Sequence, residues 1–272
     1  MKKFINLLSD ELKRARLFYA IILGLVVVSQ LVITAVKIYQ FNHEPLRPFA
    51  VSLANFIDGS GAFPLFVSTA IGLLAFFSIY TWTREWLGSS LFIHRLLTLP
   101  GNRFVIVLAK WASLMLMIGG FFFTHLLMSG LIHFLATSFM NSGTYSTIPW
   151  NYSYAQNLTA SQVFLPMTID GTVILYASLS WGILAIFAFV VTFLLKQDGA
   201  KFKALLSALM VVIGNILLLV GAVQVQVLLY TTKLEGLIVW LVTFAVAIAM
   251  NLIILNKQLS NLSVKPAKEV KI

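Results

Sequence analysis

The 272-residue sequence predicts an all-α, polytopic membrane protein, and three observations predict it. Only 10% of the residues are charged, where a soluble domain carries roughly 25%. Apolar windows free of Asp, Glu, Lys and Arg recur along the chain, each near the about 20 residues that a membrane-spanning helix needs. Lys and Arg gather in alternate connections between those windows. Together these predict one domain over residues 1–272, with six transmembrane helices.

Residues 1–16 alternate basic and apolar side chains at helical spacing. Phe4, Ile5, Leu8 and Leu12 can share one face, leaving Lys3, Asn6, Asp10 and Lys13 toward water. This predicts an N-terminal interfacial helix lying on the membrane; a solvated juxtamembrane start to the first span is the other reading. The spans are predicted at about 17–37, 61–82, 104–138, 171–195, 203–227 and 235–256. The first has a basic start, but its apolar run is too long for a secretory signal and no A-x-A-like site follows. Lys110 sits inside the third, near an end from which its stem can snorkel to the interface.

Charge sets the orientation. Sixteen Lys and Arg fall on one side: Lys2, Lys3, Lys13, Arg14, Arg16, Arg84, Arg95, Arg103, Lys110, Lys196, Lys201, Lys203, Lys257, Lys265, Lys268 and Lys271. Three fall on the other: Lys37, Arg47 and Lys233. The positive-inside rule therefore puts both termini in the cytoplasm. A net charge of +10 would point to nucleic acid in a soluble chain. Here the membrane surface accounts for it, and no nucleic-acid partner is expected.

On the outer side, residues 38–58 contain His43, Pro45 and Pro48 and are expected to be irregular. Residues 139–169 carry no charge but hold Tyr145, Trp150, Tyr152, Tyr154 and Phe164. Aromatic residues favour the headgroup layer, so this loop either caps the outer mouth or is a plain interfacial connector. Two Asn-x-Ser/Thr patterns start at Asn151 and Asn157, and they matter only in a eukaryotic secretory route.

No catalytic constellation is present. With no cysteine there is no thiolate nucleophile or metal ligand, and G-x-x-x-x-G-K-[ST], H-E-x-x-H and G-x-S-x-G are all missing. Asp58 and Asp170 fall at helix ends, away from an intramembrane aspartyl pair. No Asp, Glu, Lys or Arg lies mid-span, which disfavours an ion-coupled carrier. The polar candidates inside the spans are His125, His133, Asn215 and Asn251. Each is read either as lining a pathway or, first, as a hydrogen bond between packed helices. Gln30, Gln224 and Gln226 are placed nearer the outer ends.

Between the second and third spans lies a polar, basic island over residues 83–110, on the cytoplasmic side. It runs Arg84, Glu85, a helix-like stretch, Arg95, Leu96-Leu97, Pro100, Arg103 and Lys110. Pro100 stops a helix before it, and Asn102 can cap the next. Its carboxylate followed by Leu-Leu-x-x-Pro-x-x-Arg, with Lys seven residues on, resembles the coupling segment of ABC-2 type transporter permeases. The resemblance implies a cytoplasmic coupling helix at 84–100 docking on a P-loop ATPase subunit, with Glu85, Arg95 and Arg103 as polar contacts. Arg103 and Lys110 are equally suited to lipid phosphates.

The resemblance further implies a second permease, as homodimer or related chain, with ATP and Mg bound by the partner ATPase and no cofactor on this chain. Gly88-Ser89-Ser90 stands where the family often has Gly-Thr. Only residues 228–234 join the last two spans, where polysaccharide and lipid exporters have a re-entrant hairpin. This leans toward the bacterial antimicrobial-peptide, bacteriocin-immunity and drug-export branch, in the cell membrane. An ATPase-independent carrier or channel, and a membrane sensor or assembly protein, are the competing expectations.

Overall fold

The computed structural model describes residues 2–43, 50–58, 62–87, 104–141, 144–146, 148–149, 169–196, 201–228 and 233–261. Seven helices fill most of these: α1 (Lys2–His43), α2 (Leu53–Asp58), α3 (Ala62–Leu87), α4 (Phe104–Phe139), α5 (Ile169–Lys196), α6 (Lys201–Leu228) and α7 (Lys233–Asn261). Five of them, α1, α4, α5, α6 and α7, are long and apolar enough to cross a membrane. Helix α3, 26 residues long, covers the place of the second expected span.

Helix is the form these sequences must take in lipid, because it satisfies every backbone group within the segment. Pro64 sits in the first turn of α3, where its missing N–H would have no intrahelical acceptor anyway. Glu235 lies in the first turn of α7 and suits the helix dipole there. At the other end of α1, His43 Nδ1 lies 2.8 Å from the Tyr39 carbonyl.

Helix α1 differs from expectation. The interfacial helix over 1–16 and the span over 17–37 are one helix of 42 residues. At 1.5 Å per residue it is about 60 Å long, twice the hydrocarbon thickness. No proline or glycine interrupts residues 2–23, so nothing in the sequence forces a bend where the basic start meets the apolar run. Its buried seam is Glu11, Ala15, Ile22, Val26, Gln30 and Thr34, whereas Ile5, expected on the apolar face, is exposed.

Burial departs from that of a soluble bundle in its polar residues and its exposed faces. Gln30, Thr34, Ser78, Thr81, Lys110, His125, Ser129, Asn215 and Asn251 are buried. Large apolar side chains line the exposed faces: Ile21, Leu25, Val28 and Val32 on α1, and Met210, Ile213, Ile216, Leu217 and Val220 on α6. Lipid covers apolar side chains without penalty and leaves polar ones to find partners inside, so this pattern is compatible with a membrane protein.

The chain divides into two compact units. Residues 1–12, 75–115 and 176–272 form one. Within it α6 and α7 pack against each other, and Ala204, Ala208 and Ala222 on α6 and Ala247 on α7 are buried. Small side chains let two helix backbones approach closely.

Residues 13–74 and 116–175 form the other unit. Its core joins Val51, Leu53, Phe56 and Ile57 to Ile132, Ala136, Met140 and Tyr145, with Ile33, Ile38 and Phe41 packed against it. Residues 38–58 are thus less irregular than expected, since α1 continues to His43 and α2 is helical. Ser52 starts α2: its carbonyl accepts from the Phe56 N–H at 2.9 Å and its Oγ from the Asn55 N–H at 3.3 Å.

Val51 pairs with the segment after α4 as a parallel bridge to Tyr145, its N–H donating to the Thr144 carbonyl at 2.8 Å. Tyr145, expected in the headgroup layer, is buried edge-on against Phe56. Trp150, Tyr152, Tyr154 and Phe164 lie outside the described residues.

Candidate functional site

The coupling segment begins on α3. Arg84 is in its last turn, with its guanidinium 5.6 Å from the Tyr80 ring centre. Glu85 belongs to the same helix, but its side chain lies outside the described residues, as do Arg95, Leu96, Leu97, Pro100, Asn102 and Arg103. The chain is described again from Phe104, where α4 starts.

Lys110, the last residue of the motif, turns inward. Expected to snorkel, it is 1% exposed, and its Nζ donates to Glu11 Oε1 at 2.8 Å. The ammonium also lies 5.3 Å from the centre of the Trp82 ring. Snorkelling avoids the cost of taking a lone ammonium from water. Glu11 on the buried seam of α1 removes that need by supplying a counter-charge. Trp82 is itself fully buried and stands edge-on to Phe187 of α5 at 5.5 Å. One charged contact thus brings together the first turns of α1, the end of α3 and the start of α4. Removing one member of such a buried pair typically costs about 3–5 kcal/mol, since the other stays desolvated.

The four polar candidates His125, His133, Asn215 and Asn251 fall into separate settings. Asn215 on α6 and Asn251 on α7 meet directly. Asn251 Nδ2 donates to Asn215 Oδ1 at 2.8 Å, and Asn215 Nδ2 to Asn251 Oδ1 at 3.3 Å. Trp181 Nε1 of α5 donates to the same Asn215 oxygen. Three helices of one unit are pinned at this amide pair.

His125 and His133 lie in the other unit, each with its own partner. His125 Nδ1 is 2.8 Å from Gln30 Nε2 of α1, and both side chains are buried. Gln30, placed nearer the outer end from sequence, is fully buried in the α1 seam, and the Thr34 hydroxyl donates to its backbone carbonyl at 2.7 Å. His133 Nδ1 lies 3.0 Å from the Tyr145 hydroxyl, and burial raises the Tyr145 phenol above its ordinary value.

Glu11, Trp82 and Trp181 went unnoticed in the sequence. Glu11 had a signal, since it stands four residues before Ala15 and eleven before Ile22, in helical register with the seam. Trp82 and Trp181 had none beyond their size. Among the described residues no three His, Asp or Glu side chains converge as a metal site. What the arrangement offers is fixed contacts between helices. Comparison with protein-family models, with curated proteins and with solved structures gives no match.

Proposed function

We propose that this chain is the membrane-spanning permease subunit of an ATP-driven exporter of the ABC-2 type. Six helices, α1 and α3 to α7, serve as its spans, with both termini and residues 84–100 in the cytoplasm of a bacterial cell. The observation that carries the reading is the polar motif of residues 83–110, inserted between two strongly apolar helices and rich in basic residues. The burial of its last residue, Lys110, against Glu11 supports it, because a segment that receives a push needs a firm footing in the membrane domain.

On this reading a P-loop ATPase docks on residues 84–100 and holds the ATP and Mg. A second permease, identical or related, completes the pathway. ATP binding draws the two halves together and shifts the permease between two states of different affinity for an amphipathic or hydrophobic cargo. This chain supplies no chemistry of its own.

The test is copurification from membranes with a P-loop ATPase encoded in an adjacent reading frame. A stable complex is expected, in which Glu85→Ala and Arg95→Glu each weaken association by about fivefold or more while the permease stays monodisperse. Lack of any ATPase partner, together with solute movement in liposomes by this chain alone, would sink the reading in favour of a carrier or channel.

A further inference from the structure

Helices α3 and α4 flank the polar segment, and each sends one buried side chain to the same place. Trp82 lies on α3 five residues before Leu87, and Lys110 on α4 six residues after Phe104. Lys110 Nζ is 2.8 Å from Glu11 Oε1 and 5.3 Å from the Trp82 ring centre. Ser113, one turn on, donates to the Lys110 carbonyl at 2.8 Å and also faces inward. Glu11 in turn belongs to α1, which runs unbroken to His43. Lys110 on α4 thus bears on Glu11 directly, and Trp82 on α3 bears on it through Lys110.

We infer that Glu11, Lys110 and Trp82 form the joint through which movement of the segment between α3 and α4 reaches α1, with Glu11 and Lys110 as positioning residues. The inference rests on the proposed coupling role of that segment and adds a route and a direction to it. An ion pair suits the task better than an apolar contact. Apolar side chains slide past one another at little cost, whereas a buried charge pair specifies one register between two helices.

The chain has no cysteine, so spin labels can be placed without background. One label pair, Thr98→Cys with Ser260→Cys, follows the polar segment. A second, Ile5→Cys with Ser260→Cys, follows α1. Both are measured by pulsed dipolar spectroscopy in nanodiscs holding the permease–ATPase complex, with labelled copies diluted by unlabelled ones. Nucleotide-free and ATP–vanadate states are compared. In the wild type both distances are expected to shift by about 2 Å or more. In Glu11→Leu/Lys110→Met the Thr98 distance still shifts and the Ile5 distance does not.

Retention of both shifts in the double variant overturns the inference. So does a wild type in which only the Thr98 distance moves, or a double variant in which neither moves. A wild-type complex whose Thr98 distance ignores ATP, or the lack of any complex, overturns the coupling reading itself. Should the double variant fail to fold, Glu11→Gln/Lys110→Met, which keeps both shapes and strands no charge, carries the same expectations.

Discussion

Asn215 Oδ1 accepts two hydrogen bonds, from Asn251 Nδ2 at 2.8 Å and from the indole N–H of Trp181. Each asparagine also donates to the carbonyl four residues before it, Val211 or Ala247, at 2.8 Å. The two asparagines are therefore not equivalent. Replacing Asn251 with Leu leaves Asn215 its bond from Trp181. Replacing Asn215 with Leu strands the Trp181 N–H and the Asn251 amide oxygen, while Asn251 Nδ2 keeps the Ala247 carbonyl. Interhelical hydrogen bonds in membranes average about 0.6 kcal/mol and reach about 1.7. Asn215→Leu is expected near the upper figure and Asn251→Leu near the lower, measured by thermal unfolding in micelles. Equal losses, or the reverse order, would contradict the geometry.

These asparagines were legible in the sequence because a primary amide in a charge-free apolar window has few places to go. The long helices were legible for the same reason, since lipid rewards about 20 apolar residues in a row and little else. The Glu11–Lys110 pair was not. Its members are 99 residues apart, and one acid in a basic, amphipathic start has no local mark of burial. Gln30 and His125, 95 apart, were hidden in the same way. The length of α1 was also missed, because a change from polar to apolar composition does not of itself break a helix. The clasp of Val51 on Thr144 and Ser146 joins two connections that each read as loop.

Lys110→Met leaves the Glu11 carboxylate buried without its counter-charge. The single substitution is expected to cost about 3–5 kcal/mol, or to abolish assembly. Adding Glu11→Leu removes the stranded charge, and the double variant is expected within about 1 kcal/mol of wild type, because buried ion pairs are often replaced by apolar pairs without loss. A double-mutant cycle on thermal stability measures the coupling. Simple additivity would show that the two side chains do not depend on each other.

Tyr145 is held by Phe56 and His133, and burial raises its phenol above the ordinary 10.0. The sign follows from linkage. The protonated phenol is favoured in the folded chain, so its contribution is complete below the unfolded value. It is lost as pH rises through the folded one. Between about pH 8 and about 9 the Tyr145 hydroxyl is expected to add no pH dependence to stability. An ultraviolet difference titration of wild type against Tyr145→Phe should lack a tyrosinate step at the ordinary value. A step there would mean that water reaches the hydroxyl.

Gly120 on α4 faces Tyr19 of α1, and a methyl group added at Gly120 would overlap the Tyr19 hydroxyl. The next nearest atom, Tyr19 Cζ, would stand at 3.5 Å, an ordinary contact. Two opposed terms decide Gly120→Ala. Helix propensity favours alanine by roughly 0.8–1 kcal/mol, and overpacking against the hydroxyl costs about 1–3 kcal/mol. The single substitution is therefore expected to be neutral or destabilising by up to about 2 kcal/mol. Tyr19→Phe removes only the overlapping oxygen, so in that background the same Gly120→Ala is expected to stabilise by up to about 1 kcal/mol. The change of sign is the diagnostic, read from thermal unfolding of the four proteins. If Gly120→Ala has the same effect in both backgrounds, Tyr19 moves aside freely and the close approach of α1 to α4 at this level is not enforced by the glycine.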